Sequence, residues 1–173
     1  FSVDIDGFSY DAKFLFEAVG YNFEPSEMGA AFGLIQLGKL KDNIQARIQN
    51  FQTQYNFFRK YEDWFILPKQ TERSHTGWLA FPLTIKDSAP FDRKEMQIFL
   101  EKRNIQTRVI FTGNITRQPG FNNIQKKVAD KEGYPVSDEV MSGGVLLACH
   151  HGLTQEMLDH VHSSFEAFAN QYT

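Results

Sequence analysis

Apolar residues recur every three or four positions between about residues 25 and 58, a spacing typical of helices. The first such stretch begins at Pro25, with Ser26 as its cap, and the second runs from Gly38 to Phe58 along one apolar face. We therefore predict two long helices in succession. Residues 1–24 show no regular period, and we predict an irregular, partly buried lead-in there.

Short apolar runs alternate with helical patterns in the second half of the chain. The helical patterns begin at Asp92, Ser137 and Thr154. Pro82 lies inside one apolar run and predicts an edge strand or a bulge. The alternation predicts an α/β fold, with helices on one face of a three- or four-stranded sheet. The predicted strands are WFILP (64–68), WLAFPLTIK (78–86), IQTRVIF (105–111) and GVLLAC (144–149).

Charge and composition exclude several classes of partner. The formal net charge of −3 gives no basic surface for nucleic acid or for an anionic membrane. No apolar run reaches the roughly 18 to 20 residues of a membrane span, and a single cysteine, Cys149, is typical of a reducing compartment. We expect a cytoplasmic protein that binds neither nucleic acid nor membrane. The chain starts at Phe1 rather than at Met, and we expect its beginning to be missing.

The first predicted helix contains two glycines, which are unfavourable inside a helix. Gly29 and Gly33 flank Ala30, Ala31 and Phe32, and each glycine costs a helix about 1 kcal/mol relative to alanine. Small residues allow a neighbouring backbone to approach closely. The sequence leaves two interpretations open, a tightly packed internal helix and a subunit interface.

The histidines and the cysteine form no motif for metal binding or nucleophilic catalysis. His150 and His151 are adjacent and point in different directions, and His160 and His162 also diverge. No HExxH or CxxC spacing accompanies them, so we predict no metal site. We expect structural roles for the histidines and a buried, inert Cys149.

The loop RVIFTGNITRQPGF (108–121) holds the most informative polar residues. Two arginines leave the same strand end together with amide and hydroxyl side chains. Arginine forks suit diphosphates, and amides suit sugar hydroxyls. The residues alone leave open an anion or sugar site and an ordinary polar surface loop. The side chains concerned are Arg108, Asn114, Thr116, Arg117 and Gln118.

Several stretches resemble the DegT/StrS family of sugar aminotransferases. GYNFEPSEMGAAFGLIQLGKL (20–40) resembles the family's GYN segment, which continues as EMQAAIGLVQLEKL, and GYPVSDEVMSGGVLLACHHGL (133–153) resembles its closing helix and strand. The resemblance extends from Phe1 to about Phe168. Within the family, FTGNITRQPGF (111–121) is similar to the FxGNxTRQPxF stretch of the 3-dehydratases that act on nucleotide-linked 4-keto-6-deoxyhexoses.

The resemblance implies a fold-type-I homodimer of deoxysugar biosynthesis that binds pyridoxal or pyridoxamine phosphate and an NDP-hexose. It implies that 1–40 is a remnant of the large domain at the dimer interface and that 41–173 is the C-terminal small α/β domain. In family order the cofactor lysine or histidine lies before Phe1, so we expect the isolated chain to be inactive. Two alternatives stay open: an NDP-sugar aminotransferase of the same family, and, for the isolated chain, a non-catalytic binding and dimerisation module.

The resemblance also assigns site residues position by position. Asn22 matches the GYN asparagine and is expected to reach the cofactor phosphate across the dimer. Glu24 departs from the family, which commonly has Arg or Lys there, close to the phosphate. Because a carboxylate beside a phosphate is unfavourable, we expect Glu24 to turn away or the phosphate contact to differ. The residues expected to line the sugar-nucleotide site are Arg108, Asn114, Thr116 and Arg117.

Overall fold

The computed structural model describes residues 2–21, 23–127 and 133–172. The chain divides into two compact units, Phe1–Gly38 and Lys39–Thr173. None of the helices among the described residues is both long and apolar enough to cross a bilayer. The division lies near the predicted boundary at residue 40, but the assignment of the first segment to a large domain stays a prediction.

The first unit begins with a β-hairpin where we predicted an irregular lead-in. Strands β1 (Ser2–Ile5) and β2 (Phe8–Asp11) are antiparallel, and Ile5 pairs with Phe8. The two residues between them, Asp6 and Gly7, both have positive φ, at 53° and 88°. Asp-Gly is a preferred pair for such a two-residue turn. The prediction was wrong because this local turn signal outweighs the missing hydrophobic period.

A single helix, α1 (Glu27–Phe58), replaces the two predicted helices. Its start agrees with the predicted cap position, since the Ala30 amide donates to the Ser26 carbonyl oxygen at 2.9 Å. Gly38 does not interrupt the helix, because one glycine costs a helix only about 1 kcal/mol. In the second unit the helix buries its last two turns, including Phe51, Gln54 and Phe58.

The second unit contains a four-stranded antiparallel sheet in the order β3-β4-β6-β5. Pro82 lies in β4, between two neighbours, where we predicted an edge strand or a bulge. Strand β3 pairs only with Thr84 and Ile85, however, so β4 has no partner on that side at Pro82. The missing N–H is therefore tolerated. The strands are β3 (Phe65–Ile66), β4 (Ala80–Ile85), β5 (Arg108–Val109) and β6 (Gly144–Ala148).

Three further helices belong to this unit: α2 (Arg93–Glu101), α3 (Pro135–Gly143) and α4 (Gln155–Ala169). Asp92 caps α2 in a capping box with Glu95, and Thr154 caps α4 by accepting from the Met157 amide. The predicted cap at Ser137 is wrong, because α3 begins two residues earlier at Pro135. The fixed φ of proline suits this first helical position.

One face of the sheet forms the core with α1, α2 and α4. Alternate residues of the two central strands point into it, and the helices supply mostly aromatic partners. The rings of Phe58 and Phe81 lie 5.6 Å apart, and those of Phe58 and Phe165 lie 5.0 Å apart. The predicted α/β architecture, with helices on one face of a four-stranded sheet, is confirmed. The fully buried residues include Phe58, Phe65, Phe81, Leu83, Met96, Leu100, Val145, Leu147 and Phe165.

Candidate functional site

The loop after β5 turns sharply and then packs on α3. Phe111 and Gly113 both have positive φ, at 45° and 60°, and the Gly113 amide donates to the Ile110 carbonyl oxygen at 3.0 Å. A Cβ atom at Gly113 would overlap the backbone of Met141 in α3. Glycine is therefore required here both for the turn and for the close approach of the loop to the helix.

Asp138, in the first turn of α3, joins three of the predicted site residues. Arg117 donates from Nε and Nη2 to the two carboxylate oxygens of Asp138, with 2.6 Å between Nη2 and Oδ2. Asn114 donates from Nδ2 to Oδ1 of Asp138 at 2.8 Å. The Oδ1 atom of Asn114 in turn accepts from the amide and the hydroxyl of Thr116, at 3.0 and 2.7 Å. We call Asn114, Thr116, Arg117 and Asp138 the loop cluster.

Burial and charge differ sharply within the loop cluster. Asn114 is only 4% exposed, whereas the side chain of Arg117 is 61% exposed. Hydrogen bonds from Arg117 and then Asn114 lower the pKa of Asp138 to about 2, and the Asp138 carboxylate raises the pKa of Arg117. Both groups are therefore charged at neutral pH. The cluster presents one exposed guanidinium, held by a carboxylate, on a loop whose base is buried.

Arg108 and Asn22 are not part of the loop cluster. Arg108 lies on β5 opposite Leu146 and is exposed at the edge of a mostly apolar groove that His150 also lines. No hydrogen bond or ion pair among the described residues joins Arg108 to the cluster. Asn22, the predicted cofactor contact, lies outside the described residues, and its neighbour Glu24 is exposed.

The histidines that form hydrogen bonds do so with structural partners. His162 Nε2 lies 3.1 Å from Oε1 of the buried Gln54, and His160 Nε2 lies 2.8 Å from the Arg103 carbonyl oxygen. His150 accepts through Nδ1 from the Gly152 amide at 3.1 Å. These contacts are with protein groups, and the structural roles of the three histidines stay a prediction. Cys149 is buried as predicted, and burial raises the pKa of its thiol to about 11.

Most of the chain matches one protein family. The family model of the DegT/DnrJ/EryC1/StrS aminotransferases matches residues 3–166. The chain belongs to this family. The resemblance stated from the sequence motifs is therefore confirmed.

Two members of the DegT/DnrJ/EryC1/StrS family match the chain at equal identity. The lipopolysaccharide biosynthesis protein RfbH of Salmonella typhimurium is 35% identical over 92% of the chain and 36% of its own length. The dTDP-4-dehydro-2,6-dideoxy-D-glucose 3-dehydratase of Saccharopolyspora spinosa is 35% identical over 92% of the chain and 34% of its own length. The chain therefore spans about a third of the length of these curated relatives.

Solved structures of the DegT/DnrJ/EryC1/StrS family share the fold. The Escherichia coli GDP-4-keto-6-deoxy-D-mannose-3-dehydratase with bound hydrated PLP aligns with a TM-score of 0.75 and 23% identity, over 88% of this chain and 38% of that one. An aminotransferase from Psychrobacter cryohalolentis aligns with a TM-score of 0.80 and 19% identity, over 99% and 45%. The fold of this chain is thus that of part of these enzymes.

Sequence reasoning missed Asp138, although it found the other members of the loop cluster. The stretch from Ser137 to Met141 indicated only a short helix. An acidic residue in the first turn of a helix usually complements the helix dipole, which explains its presence without any partner. The available signal was an arginine in the loop, Arg117, which could be expected to pair with a carboxylate of the same α/β unit.

Proposed function

We propose that this chain is the C-terminal portion of an NDP-4-keto-6-deoxyhexose 3-dehydratase of deoxysugar biosynthesis. The observation that carries the proposal is the pattern of identity among its relatives. Enzymes named as 3-dehydratases are 35%, 30% and 34% identical to the chain, whereas two named as transaminases are 26% and 24% identical. The activity is proposed for the complete protein, of which this chain supplies a binding loop and the small domain.

Within this proposal the exposed guanidinium of Arg117 binds the sugar nucleotide. Its charge and its N–H donors suit a phosphate oxygen or a sugar hydroxyl, and the loop cluster limits where it can lie. Arg108, exposed on β5 just before the loop, is a second donor for the same class of ligand. Asn114 and Thr116 are hydrogen-bonded to each other, and Asn114 also to Asp138, so we assign them to shaping the loop.

The proposed cofactor is pyridoxal or pyridoxamine phosphate, which would supply the electron sink for the loss of the C3 hydroxyl. Asn22, the residue that the resemblance assigns to the cofactor phosphate, is not among the described residues. We assign Arg108 and Arg117 to the substrate and expect most cofactor contacts to come from the rest of the complete protein.

We also propose a homodimer in which residues 1–40 form part of the interface. Three large apolar side chains on the first half of α1, Met28, Phe32 and Ile35, are 83%, 67% and 62% exposed in the chain. A Cβ atom added at Gly33 would meet no other group within 4 Å. Among the described residues, nothing packs tightly against this glycine. This observation supports a subunit interface over a tightly packed internal helix.

Product analysis distinguishes the dehydratase from the aminotransferase. The complete protein, with pyridoxamine phosphate and L-glutamate, is incubated with 4-keto-6-deoxyhexoses linked to CDP, GDP, dTDP or UDP. A 3-dehydratase yields a product that has lost the oxygen at C3, which NMR detects as altered C3 signals. A product that keeps the C3 hydroxyl and carries an amino group at C4 would identify an aminotransferase and overturn the proposal.

A further inference from the structure

We propose that Asp138 is a positioning residue that sets the place and direction of Arg117 at the sugar-nucleotide site. The inference rests on the proposed function, because it needs Arg117 to bind the substrate. Asp138 itself lies on α3 rather than on the loop. Because α3 is a regular helix, its Asp138 holds the exposed side chain of Arg117 in one place.

The hydrogen bonds of the loop cluster account for both oxygens of Asp138. Oδ1 accepts from Arg117 and Asn114, and Oδ2 accepts from Arg117. A two-point contact of this kind fixes the plane of the guanidinium as well as its distance. It leaves Nη1 and one N–H of Nη2 without a partner within the part of the chain that the structure describes. Arg117 therefore presents its remaining N–H donors in a defined direction, because the bound guanidinium cannot rotate freely.

Two contacts one helical turn apart hold the loop along α3. Asp138 binds Arg117 and Asn114, while Met141, three residues further on, contacts Gly113 so closely that no side chain fits. Residues three apart lie on the same face of a helix. The loop thus contacts one face of α3 at two points, and Asp138 makes the polar contact.

Asn114 contacts the Asp138 carboxylate from the buried side of the loop cluster. It is only 4% exposed, donates to Asp138 and accepts twice from Thr116. A buried amide with these bonds formed has little capacity left for a ligand. We infer that Asn114 orients the Asp138 carboxylate and that Arg117 is the member of the cluster that contacts the sugar nucleotide.

A double-mutant cycle tests this role in the complete protein. The variants are Asp138→Ala, Arg117→Ala and the two combined, with Glu139→Ala as the matched control on the same helix. The probes are the four 4-keto-6-deoxyhexoses linked to CDP, GDP, dTDP or UDP, and the measured quantity is the Kd of the one that binds the wild type best. We expect Asp138→Ala to weaken binding roughly tenfold when Arg117 is present and to have no effect in the Arg117→Ala background.

The outcomes separate the positioning role from the proposed function. Equal weakening in both backgrounds would mean that Asp138 only supports the fold, and it would overturn the positioning role. Weakening by Arg117→Ala alone would overturn it too, while leaving Arg117 as the binding residue. If neither variant changes the Kd, the proposed binding site itself is wrong.

Hydrogen exchange reports on the loop cluster without any ligand. The amides of Thr116 and Arg117 are bonded to Asn114, so loss of Asp138 should speed their exchange. Asp138→Asn, which keeps an acceptor of the same shape but loses the charge, should fall between wild type and Asp138→Ala. Unchanged exchange of both amides in Asp138→Ala would contradict the positioning role.

Discussion

The imidazole of His162 lies flat against the ring of Phe57, with 3.9 Å between the ring centroids and 3° between the planes. Its Nε2 atom lies 3.1 Å from Oε1 of Gln54. Burial lowers the pKa of His162, and Lys60 acts in the same direction, while Asp159 and Glu166 oppose the shift. The half-buried imidazole therefore packs between α1 and α4, where its neutral form is favoured.

The lowered pKa predicts a loss of stability on mild acidification. The unfolded chain binds a proton near the ordinary histidine pKa of about 6.5, whereas the folded chain binds it only at lower pH. The unfolding free energy should therefore fall as the pH drops from about 7.5 through 6.5 towards the folded pKa. Urea unfolding of the 173-residue chain at several pH values measures this. His162→Gln should flatten the slope, and the exposed His151→Gln should not.

The buried side chain of Gln54 predicts a second effect on stability. It is fully buried, donates to the Ala148 carbonyl oxygen at 3.3 Å and contacts His162. Gln54→Met keeps the shape but leaves these buried groups without their partner, so we expect a loss of about 1–3 kcal/mol. Gln52→Met is the matched control, because the Gln52 side chain is exposed and donates to Asn56 in the same helix. Equal losses in the two variants would contradict the role of Gln54.

The junction between α3 and β6 depends on a glycine. A Cβ atom at Gly143 would overlap the Ile85 carbonyl oxygen and lie 3.2 Å from the Ile85 nitrogen. Because both atoms belong to the backbone of a central strand, Gly143→Ala should cost about 1–3 kcal/mol. Gly120→Ala, where the added atom meets nothing within 4 Å, should change the unfolding free energy by less than about 0.5 kcal/mol. Thermal unfolding of both variants provides the comparison.

We predict that two copies of the chain associate through the first half of α1. Gly29 and Gly33 lie among exposed apolar side chains, and leucines there should hold two facing surfaces apart. We expect the chain to sediment as a dimer at micromolar concentration and Gly29→Leu with Gly33→Leu to shift it towards monomer. Gly120→Leu should leave the distribution unchanged. A wild-type chain that stays monomeric would contradict the proposed interface.

The sequence predicted the second unit better than the first. The four strands and the helix starts at Asp92 and Thr154 followed from hydrophobic period and capping residues, which are local signals. The Asp6-Gly7 pair was also a local signal for a hairpin. It was overlooked because the aromatic residues around it show no regular hydrophobic period. The continuity of α1 through Gly38 could not be read locally, because a glycine of this kind is compatible with both an interrupted and a continuous helix.

The candidate site was predictable only in part, for a related reason. Arg117, Asn114 and Thr116 stand close together in the sequence and carry a recognisable motif. Asp138 is separated from Arg117 by 21 positions, and only the packing of the loop on α3 brings the two together. Sequence position alone therefore did not reveal that, within the loop cluster, Arg117 is exposed while Asn114 is buried and hydrogen-bonded to Thr116 and Asp138.

The measurement that tests the central claim most directly is kcat/KM of the complete protein carrying Arg117→Ala, with its NDP-4-keto-6-deoxyhexose as substrate. Loss of a charge-assisted hydrogen bond to the substrate should lower kcat/KM by about 1.5–3 kcal/mol, or roughly 10- to 150-fold. Arg59→Ala, at an exposed arginine just after α1, is the control and should keep the wild-type value. An unchanged kcat/KM in Arg117→Ala would contradict the assignment of this loop to the sugar-nucleotide site.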